Sequence, residues 1–96
     1  MPQAIEVKTQ ENYRIWVRYS DGISGVVDLS DLKDKGVFRA WSDYREFQKA
    51  HIGDSGQIQW SAQIELCADA LYLRITGKTP EDIFPRLKAL YQHAGD

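Results

Sequence analysis

The residues most suggestive of chemistry are four aspartates in the segment from Val17 to Gly36. They are Asp21, Asp28, Asp31 and Asp34. A calcium-binding loop needs oxygen ligands at alternating positions, with a glycine at its sixth position and a glutamate at its twelfth. The last three aspartates are instead spaced three residues apart, and Leu29 and Leu32 lie between them. We therefore interpret the four aspartates as turn and capping residues, not as metal ligands.

Asp28 is the aspartate that turn chemistry explains least. Asp21 with Gly22 is typical of a tight turn, whereas Asp28 comes at the end of an apolar strand. A carboxylate in that position needs a hydrogen-bond donor in the folded protein. We expect the backbone amide of Ser30 or of Asp31 to supply it.

The chain has a single cysteine, Cys67, and two histidines, His51 and His93. Nucleophilic catalysis needs a base beside the nucleophile and a third group that orients the base, and no such group is indicated. We expect Cys67 to pack as a small apolar residue and His51 to point to solvent or to a sheet edge. Structural zinc typically uses four ligands in closely spaced pairs, a pattern that this sequence lacks.

Two further ligand arrangements have little support. Asp28 and Glu65 could form a glycosidase-type pair, but any acidic domain offers such pairs by chance. Neither glycine-containing segment, residues 21–25 or residues 53–56, opens a helix with a following lysine, as a nucleotide loop would. We predict a non-enzymatic protein without catalytic, cofactor-binding or metal-binding residues.

Trp16 indicates a different kind of site. Alternation places it between Arg14 and Arg18, on the strand face opposite Ile15 and Val17. Tryptophan and arginine are enriched at the energetic centres of protein interfaces, so this face is a candidate partner surface. The alternative is that a helix of the C-terminal tail covers Trp16 as ordinary core. That tail carries an apolar stripe at helical spacing, formed by Ile83, Leu87, Leu90, Tyr91 and Ala94. We add the first four of these residues to the candidate surface.

Length and composition indicate one small folded domain. The chain has 96 residues, 43% of them hydrophobic, which favours a single domain over residues 1–96 with a core at about 3–76 and a tail at about 79–94. A formal net charge of -2 argues, on electrostatic grounds, against nucleic-acid binding by this domain alone. The sequence has neither a signal-peptide pattern nor a long apolar run, so we expect a cytoplasmic protein without membrane contact.

The predicted fold is α+β and begins with a three-stranded antiparallel meander. Period-two alternation from Ile5 to Leu29, including Tyr13, indicates three strands, with turns at residues 10–12 and 20–22. Gly25 within the third strand suggests a bulge or the close approach of another element.

The second half is predicted to hold a short helix, a second β-hairpin and a C-terminal helical hairpin. Gly36 is expected to end a helical turn, and Ser42 or Asp43 to cap a helix that extends to about Lys49. The second hairpin turns at residues 54–56, and residues 64–66 form a last strand. A helix from Ala68 to Thr76 closes at Gly77, and a second one starts at residues 79–82.

The order and spacing of several short motifs resemble the bacterial domain-of-unknown-function family DUF2442, over about Ile5 to Tyr72. The positions that carry the resemblance are Asp21, Gly22, Asp28, Phe47, Trp60, Glu65, Asp69 and Tyr72. The segment after Trp60 departs from the family pattern, since Ser61-Ala62-Gln63 stands where a Pro-Asn-Gly turn is usual. The resemblance implies a bacterial α+β domain, in some cases fused to a helix-turn-helix domain or paired with a second small protein as in toxin-antitoxin systems. It implies no activity.

These observations favour a non-enzymatic protein-interaction module that forms a homodimer and binds a protein partner, with no cofactor. The alternative is a DNA-binding accessory or transcriptional regulatory protein, which the predicted helical hairpin suggests. The second helix of that hairpin would begin with Pro80-Glu81-Asp82, and its acidic side chains would repel phosphates.

Overall fold

The computed structural model describes residues 1–77. The predicted helix over residues 79–94 lies outside the described residues, as does the predicted apolar stripe of Ile83, Leu87, Leu90, Tyr91 and Ala94.

The first three strands form an antiparallel meander, as predicted. They are β1 (Ala4–Gln10), β2 (Arg14–Tyr19) and β3 (Ser24–Asp28), and their order in the sheet is β1-β2-β3. We call this the N-terminal sheet. Its register is continuous between β2 and β3, so Gly25 forms no bulge.

The turn between β1 and β2 corrects the predicted start of β2. Asn12 and Tyr13 both have left-handed backbone conformations, with φ values of 62° and 59°, so Tyr13 belongs to the turn and not to the strand. A tyrosine with positive φ is uncommon and costs conformational energy. The contacts of its side chain offset that cost, since the ring packs edge-on against Phe47 and the hydroxyl group donates a 2.8 Å hydrogen bond to the carbonyl oxygen of Trp41.

A 3-10 helix (Gly36–Ser42) and the short helix α1 (Tyr44–Phe47) connect the two sheets. Gly36 begins the 3-10 helix, with φ 50°. The helical turn predicted to end at Gly36 is present just before it, closed by hydrogen bonds from Leu32 N to Leu29 O and from Lys35 N to Leu32 O. Asp43 caps α1 as predicted, because its side chain accepts a hydrogen bond from the amide of Arg45. α1 ends at Phe47, two residues earlier than predicted.

The second sheet consists of three short antiparallel strands, β4 (His51–Ile52), β5 (Ile58–Gln59) and β6 (Glu65–Leu66). The helix α2 (Ala68–Thr76) follows, and Gly77 ends it with φ 71°. α2 packs on the N-terminal sheet beside β3: a Cβ atom placed on Gly25 would lie 2.5 Å from Cγ2 of Ile75. The predicted close approach at Gly25 is therefore confirmed.

The core lies between the N-terminal sheet, α2 and the elements that follow β3. We call the side of the sheet that faces this core the inner face. The buried core residues share an apolar or aromatic side chain and come from every part of the described chain: Ala4, Ile15, Val17, Tyr19, Val27, Leu29, Trp41, Phe47, Ile58, Trp60, Ile64, Ala68, Leu71 and Tyr72.

Candidate interaction surface

The side of the N-terminal sheet opposite the core, which we call the outer face, is built around β2. Alternation along β2 buries Ile15 and Val17 and turns Trp16 outward. The strand register then places Lys8 of β1 and Val26 of β3 on either side of Trp16. The same register assigns nine residues to the outer face: Glu6, Lys8, Gln10, Arg14, Trp16, Arg18, Ser24, Val26 and Asp28.

The centre of the outer face combines an aromatic ring, an exposed aliphatic side chain and a cation. Trp16 is partly buried, and Val26 beside it is 49% exposed. The ammonium group of Lys8 lies 5.4 Å from the centroid of the Trp16 ring, within the range of a cation–π interaction. Trp16 and Val26 thus form a small apolar patch with a basic side chain, Lys8, beside it.

Acidic side chains balance part of the basic charge of this face. Glu6 pairs with Arg18 at 3.0 Å and with Lys8 at 3.4 Å. The hydrogen bonds from Arg18 hold the pKa of Glu6 below its ordinary value, and Lys8 adds to this effect. Among residues 1–77, no ion pair engages Arg14, which is exposed. Arg14 is therefore the cation of the outer face best placed to meet an external carboxylate.

Asp28 lies at the edge of the outer face and has the partner that was predicted for it. The amide of Ser30 donates a 2.9 Å hydrogen bond to Oδ1 of Asp28. Hydrogen bonding from Ser30 is the main cause that lowers the pKa of Asp28, with a smaller contribution from the positive charges of Arg14 and Arg74. The side chain of Asp28 thus has a local structural role at the end of β3.

The sequence pattern grouped some residues of the outer face and left out others. Arg14, Trp16 and Arg18 lie together on one face, as alternation predicts. Lys8 and Val26 were missed, although alternation within β1 and β3 could have assigned both of them to a sheet face. Which of these residues flank Trp16 depends on the strand register, and the register depends on turn geometry.

Two of the family-pattern positions meet on the other side of the sheet. The hydroxyl group of Tyr72, in α2, donates a 2.7 Å hydrogen bond to Oδ2 of Asp21. Tyr19 packs edge-on against Tyr72 and donates a 2.7 Å hydrogen bond to the carbonyl oxygen of Ala68. Gly22 completes the turn with φ 89°. These residues hold α2 against the turn between β2 and β3. No motif in the sequence predicts this contact.

Two more family-pattern positions, Phe47 and Trp60, belong to an aromatic cluster in the core. Nε1 of Trp60 donates a 2.8 Å hydrogen bond to the carbonyl oxygen of Phe47. Trp41 contacts both rings, with centroid distances of 4.9 Å to each. Trp41 is fully buried, and within residues 1–77 its Nε1 has no hydrogen-bond partner. The cluster is structural, since its rings are enclosed by one another.

The remaining family-pattern positions, Glu65 and Asp69, are exposed. Glu65 accepts a 3.4 Å hydrogen bond from Gln57. Asp69 lies in the first turn of α2, where a negative charge is favourable next to the positive end of the helix dipole. Local structure therefore accounts for both carboxylates.

Cys67 corrects one expectation, because its side chain is exposed instead of packed. It is the residue that precedes α2, and it borders an open cleft of about 610 Å³ between the N-terminal residues and the turn between β4 and β5. His51 is exposed, as expected, and its Nδ1 lies 2.9 Å from the carbonyl oxygen of Lys49. His51 does not line the cleft of Cys67.

Within residues 1–77, no group of three or more His, Cys, Asp or Glu side chains is arranged to hold a metal ion. In the same part of the chain, no helix has both the length and the apolar character that a membrane crossing requires.

Residues 1–77 thus form a small α+β domain with two three-stranded antiparallel sheets. Residues 4–77 match the family described as "Protein of unknown function (DUF2442)", and the chain belongs to that family. Its structure is also similar to the crystal structure of a "Putative DNA Binding Protein" from Nitrosomonas europaea ATCC 19718, with a TM-score of 0.76 and 21% sequence identity. The similarity covers 96% of this chain and 62% of that protein's chain. No curated protein matches the sequence.

Proposed function

We propose that this chain is a non-enzymatic protein-interaction module that binds a protein partner through its outer face. The observation that carries the proposal is the position of Trp16, which lies between Arg14 and Arg18 beside an exposed Val26. Aromatic and arginine side chains around an apolar centre are the features that distinguish interface centres from ordinary protein surface.

The charges of the outer face suggest the chemistry of the partner. Arg18 and Lys8 are partly neutralised by Glu6, whereas Arg14 forms no ion pair within residues 1–77. A partner segment with one carboxylate beside an apolar or aromatic side chain would match this surface. In line with what the resemblance to DUF2442 implies, we propose that the module works in the bacterial cytoplasm as part of a regulatory or toxin-antitoxin-like pair.

The proposal is tested by affinity capture from an extract of the native host, with the wild-type chain, Arg14→Glu and Lys35→Glu as baits. Arg14 and Lys35 are both exposed, and both substitutions replace a cation with an anion, so Lys35→Glu is a matched control. We expect a stoichiometric partner to be retained by wild type and by Lys35→Glu and to be lost with Arg14→Glu. Equal capture by all three baits, or no stoichiometric partner at all, would contradict the proposal.

A DNA-binding accessory role is the second candidate, and one observation favours it: Lys8, Arg14 and Arg18 lie on the same face. The description of the Nitrosomonas europaea protein as DNA-binding points in the same direction. Glu6 and Asp28 on that face weaken the case, as does the net charge of -2. A gel shift at low salt with the DNA upstream of the gene tests this role. A shift that Arg14→Glu abolishes would favour DNA binding, and the absence of any shift would remove the support for it.

A further inference from the structure

β3 is an edge strand of the N-terminal sheet, and part of its backbone is unpaired within residues 1–77. Two hydrogen bonds fix the pattern: Tyr19 N to Ile23 O before β3, and Leu29 N to Tyr13 O after it, both 2.8 Å. Hydrogen-bonded and non-hydrogen-bonded pairs alternate along antiparallel strands. The N–H and C=O groups of Ser24, Val26 and Asp28 therefore point away from β2, toward the free edge.

The opposite edge of the sheet, β1, has the features that discourage pairing with another chain. It has a register shift between Ala4 and Glu6, it contains Lys8, and it lies against β4. Irregular register and lysine are common protections of edge strands. β3 has a regular register and contains no lysine or proline, and its central side chain, Val26, is 49% exposed. The two edges of the sheet are thus protected to different degrees.

We propose that β3 pairs with β3 of a second copy of this chain, antiparallel and centred on Val26. The two three-stranded sheets would then join into one continuous sheet of six strands. In this register Val26 lies opposite Val26 of the partner subunit, and Ser24 lies opposite the partner's Asp28. Every backbone group of β3 that points toward the free edge gains a partner.

The charges of the outer face are complementary in this register. Side chains that lie opposite each other on neighbouring strands form rows across the sheet. The row of Glu6, Arg18 and Ser24 would continue into the partner's Asp28 and then into the partner's Arg14. Negative and positive side chains alternate along the row, and no two like charges are adjacent. A register centred on Asp28 would instead place two carboxylates directly opposite each other, which is destabilising.

The central row is complementary through its apolar side chains. It contains Lys8, Trp16 and Val26 in one subunit, and the second subunit continues it in reverse order. The two valines would bury each other between the two tryptophan rings, while both lysines stay at the outer ends. The pairing thus covers the most exposed apolar side chain of β3.

α2 lies beside the edge without occupying it. Its Ile75 packs against Gly25 from the inner face. Nη2 of Arg74 lies 3.4 Å from the carbonyl oxygen of Asp28, and a carbonyl oxygen can accept two hydrogen bonds. Asp28 can therefore still accept a hydrogen bond from the partner's Ser24.

This inference does not rest on the proposed binding of a different protein, because it depends on the backbone of β3 and not on Arg14. Pairing through β3 would nevertheless place two outer faces side by side in one surface. A partner with two suitable segments could engage both, and its avidity would rise accordingly.

Sedimentation velocity of the full chain, over a wide range of concentrations up to millimolar, tests the pairing without any partner. We expect wild type to sediment at twice the mass of one chain. Val26→Lys places two lysines opposite each other at the junction and should give monomers. Val37→Lys is the matched control, since Val37 is 53% exposed and lies outside the sheet; it should remain dimeric.

A second variant separates backbone pairing from side-chain contact. Val26→Pro keeps an apolar side chain but removes an N–H group that points away from β2, so the intramolecular sheet is retained. Dimerisation should weaken by about tenfold or more, equivalent to about 1.4 kcal/mol. Circular dichroism and thermal melting check that each variant is folded.

A wild-type chain that is monomeric throughout would overturn the inference. So would a dimer that folded Val26→Lys or Val26→Pro forms as tightly as Val37→Lys does, because the interface would then lie elsewhere.

Discussion

The hydroxyl group of Tyr72 and the carboxylate of Asp21, separated by 51 positions in sequence, form a 2.7 Å hydrogen bond. The other carboxylate oxygen of Asp21 accepts a 3.0 Å hydrogen bond from the amide of Ile23. One side chain therefore closes the turn between β2 and β3 and also holds α2 against it. Asp21 and Tyr72, two of the positions on which the resemblance to DUF2442 rests, thus hold α2 against the sheet, and we call this contact the clasp.

This clasp predicts that Tyr72→Phe and Asp21→Ala are not additive in their effects on stability. Tyr72→Phe removes the shared hydrogen bond, whereas Asp21→Ala removes the same bond and also the turn contact with Ile23. We expect both variants to lower the free energy of unfolding, Asp21→Ala by more. Urea denaturation of the two single variants and the double variant gives the coupling energy. If the two single-variant losses in unfolding free energy added up to the loss of the double variant, the hydrogen bond would contribute nothing to stability.

The buried phenol of Tyr19 predicts a loss of stability at alkaline pH. Burial is the main cause that raises the pKa of Tyr19 above its model-compound value of 10.0, and the negative charge of Asp69 adds to it. The folded protein therefore binds this proton more tightly than the unfolded chain does. The stabilising contribution is fully present below pH 10 and is lost as the pH rises above it.

The control for this prediction is Tyr19→Phe, which has no phenol proton to lose at that position. Thermal melts at pH 8 to 12 should show a smaller alkaline decline for Tyr19→Phe than for wild type. Identical declines would mean that other groups cause the alkaline sensitivity.

The contact between Gly25 and Ile75 predicts that Gly25→Ala is destabilising. The added Cβ atom would lie 2.5 Å from Cγ2 of Ile75, so α2 or the Ile75 side chain has to move. Overpacking of this kind typically costs about 1–3 kcal/mol. Ile75→Ala removes the clashing atoms, so Gly25→Ala should cost less in the Ile75→Ala background than in wild type, as measured by urea denaturation. An equal cost in both backgrounds would rule out this clash as the cause.

Elements with a regular hydrophobic period were predictable from the sequence. The three strands of the meander follow from period-two alternation, and Ala68–Thr76 is a helix that Gly77 ends in the left-handed conformation. Gly25 could also be interpreted correctly, because a glycine inside a regular strand often marks a bulge or the close approach of another element. In each case the sequence pattern lies within one secondary-structure element, and the tertiary contacts of that element are compatible with the structure that the pattern predicts.

Elements that tertiary contacts impose were not predictable. Residues 36–42 show no strand or α-helix period, and the 3-10 helix there orients Trp41 toward Phe38, Phe47 and Trp60. Tyr13 takes positive φ because its ring and hydroxyl group find partners far along the chain. The outer face was predicted only in part for the same reason: alternation assigns each residue to a face of its own strand, but which residues lie side by side across strands depends on the register.

The aromatic cluster predicts a large effect for Phe47→Ala. Phe47 is fully buried and packs against the rings of Tyr13, Trp41, Tyr44 and Trp60. Truncation of a buried phenylalanine costs about 3–5 kcal/mol, and the total stability of a small domain is about 5–15 kcal/mol. We therefore expect a steep fall in the unfolding midpoint.

Val37→Ala is the control for that prediction, because Val37 is an exposed apolar residue of the neighbouring 3-10 helix. Its free energy of unfolding should stay within about 0.5 kcal/mol of wild type. Comparable losses from both variants in chemical denaturation would show that the ring cluster is not the centre of the core.

The exposure of Cys67 predicts that its thiol reacts in the native protein. Cys67 precedes α2 and is exposed at the border of an open cleft, so an aromatic disulfide reagent can reach it without unfolding. We expect one thiol per chain to be modified in native buffer, at a rate that added urea below the unfolding transition does not change. Cys67→Ser should abolish the reaction and leave the melting temperature nearly unchanged, because the side chain fills no core site. A thiol that reacts only above the transition would show that the cysteine packs inside the fold, as its residue type alone suggests.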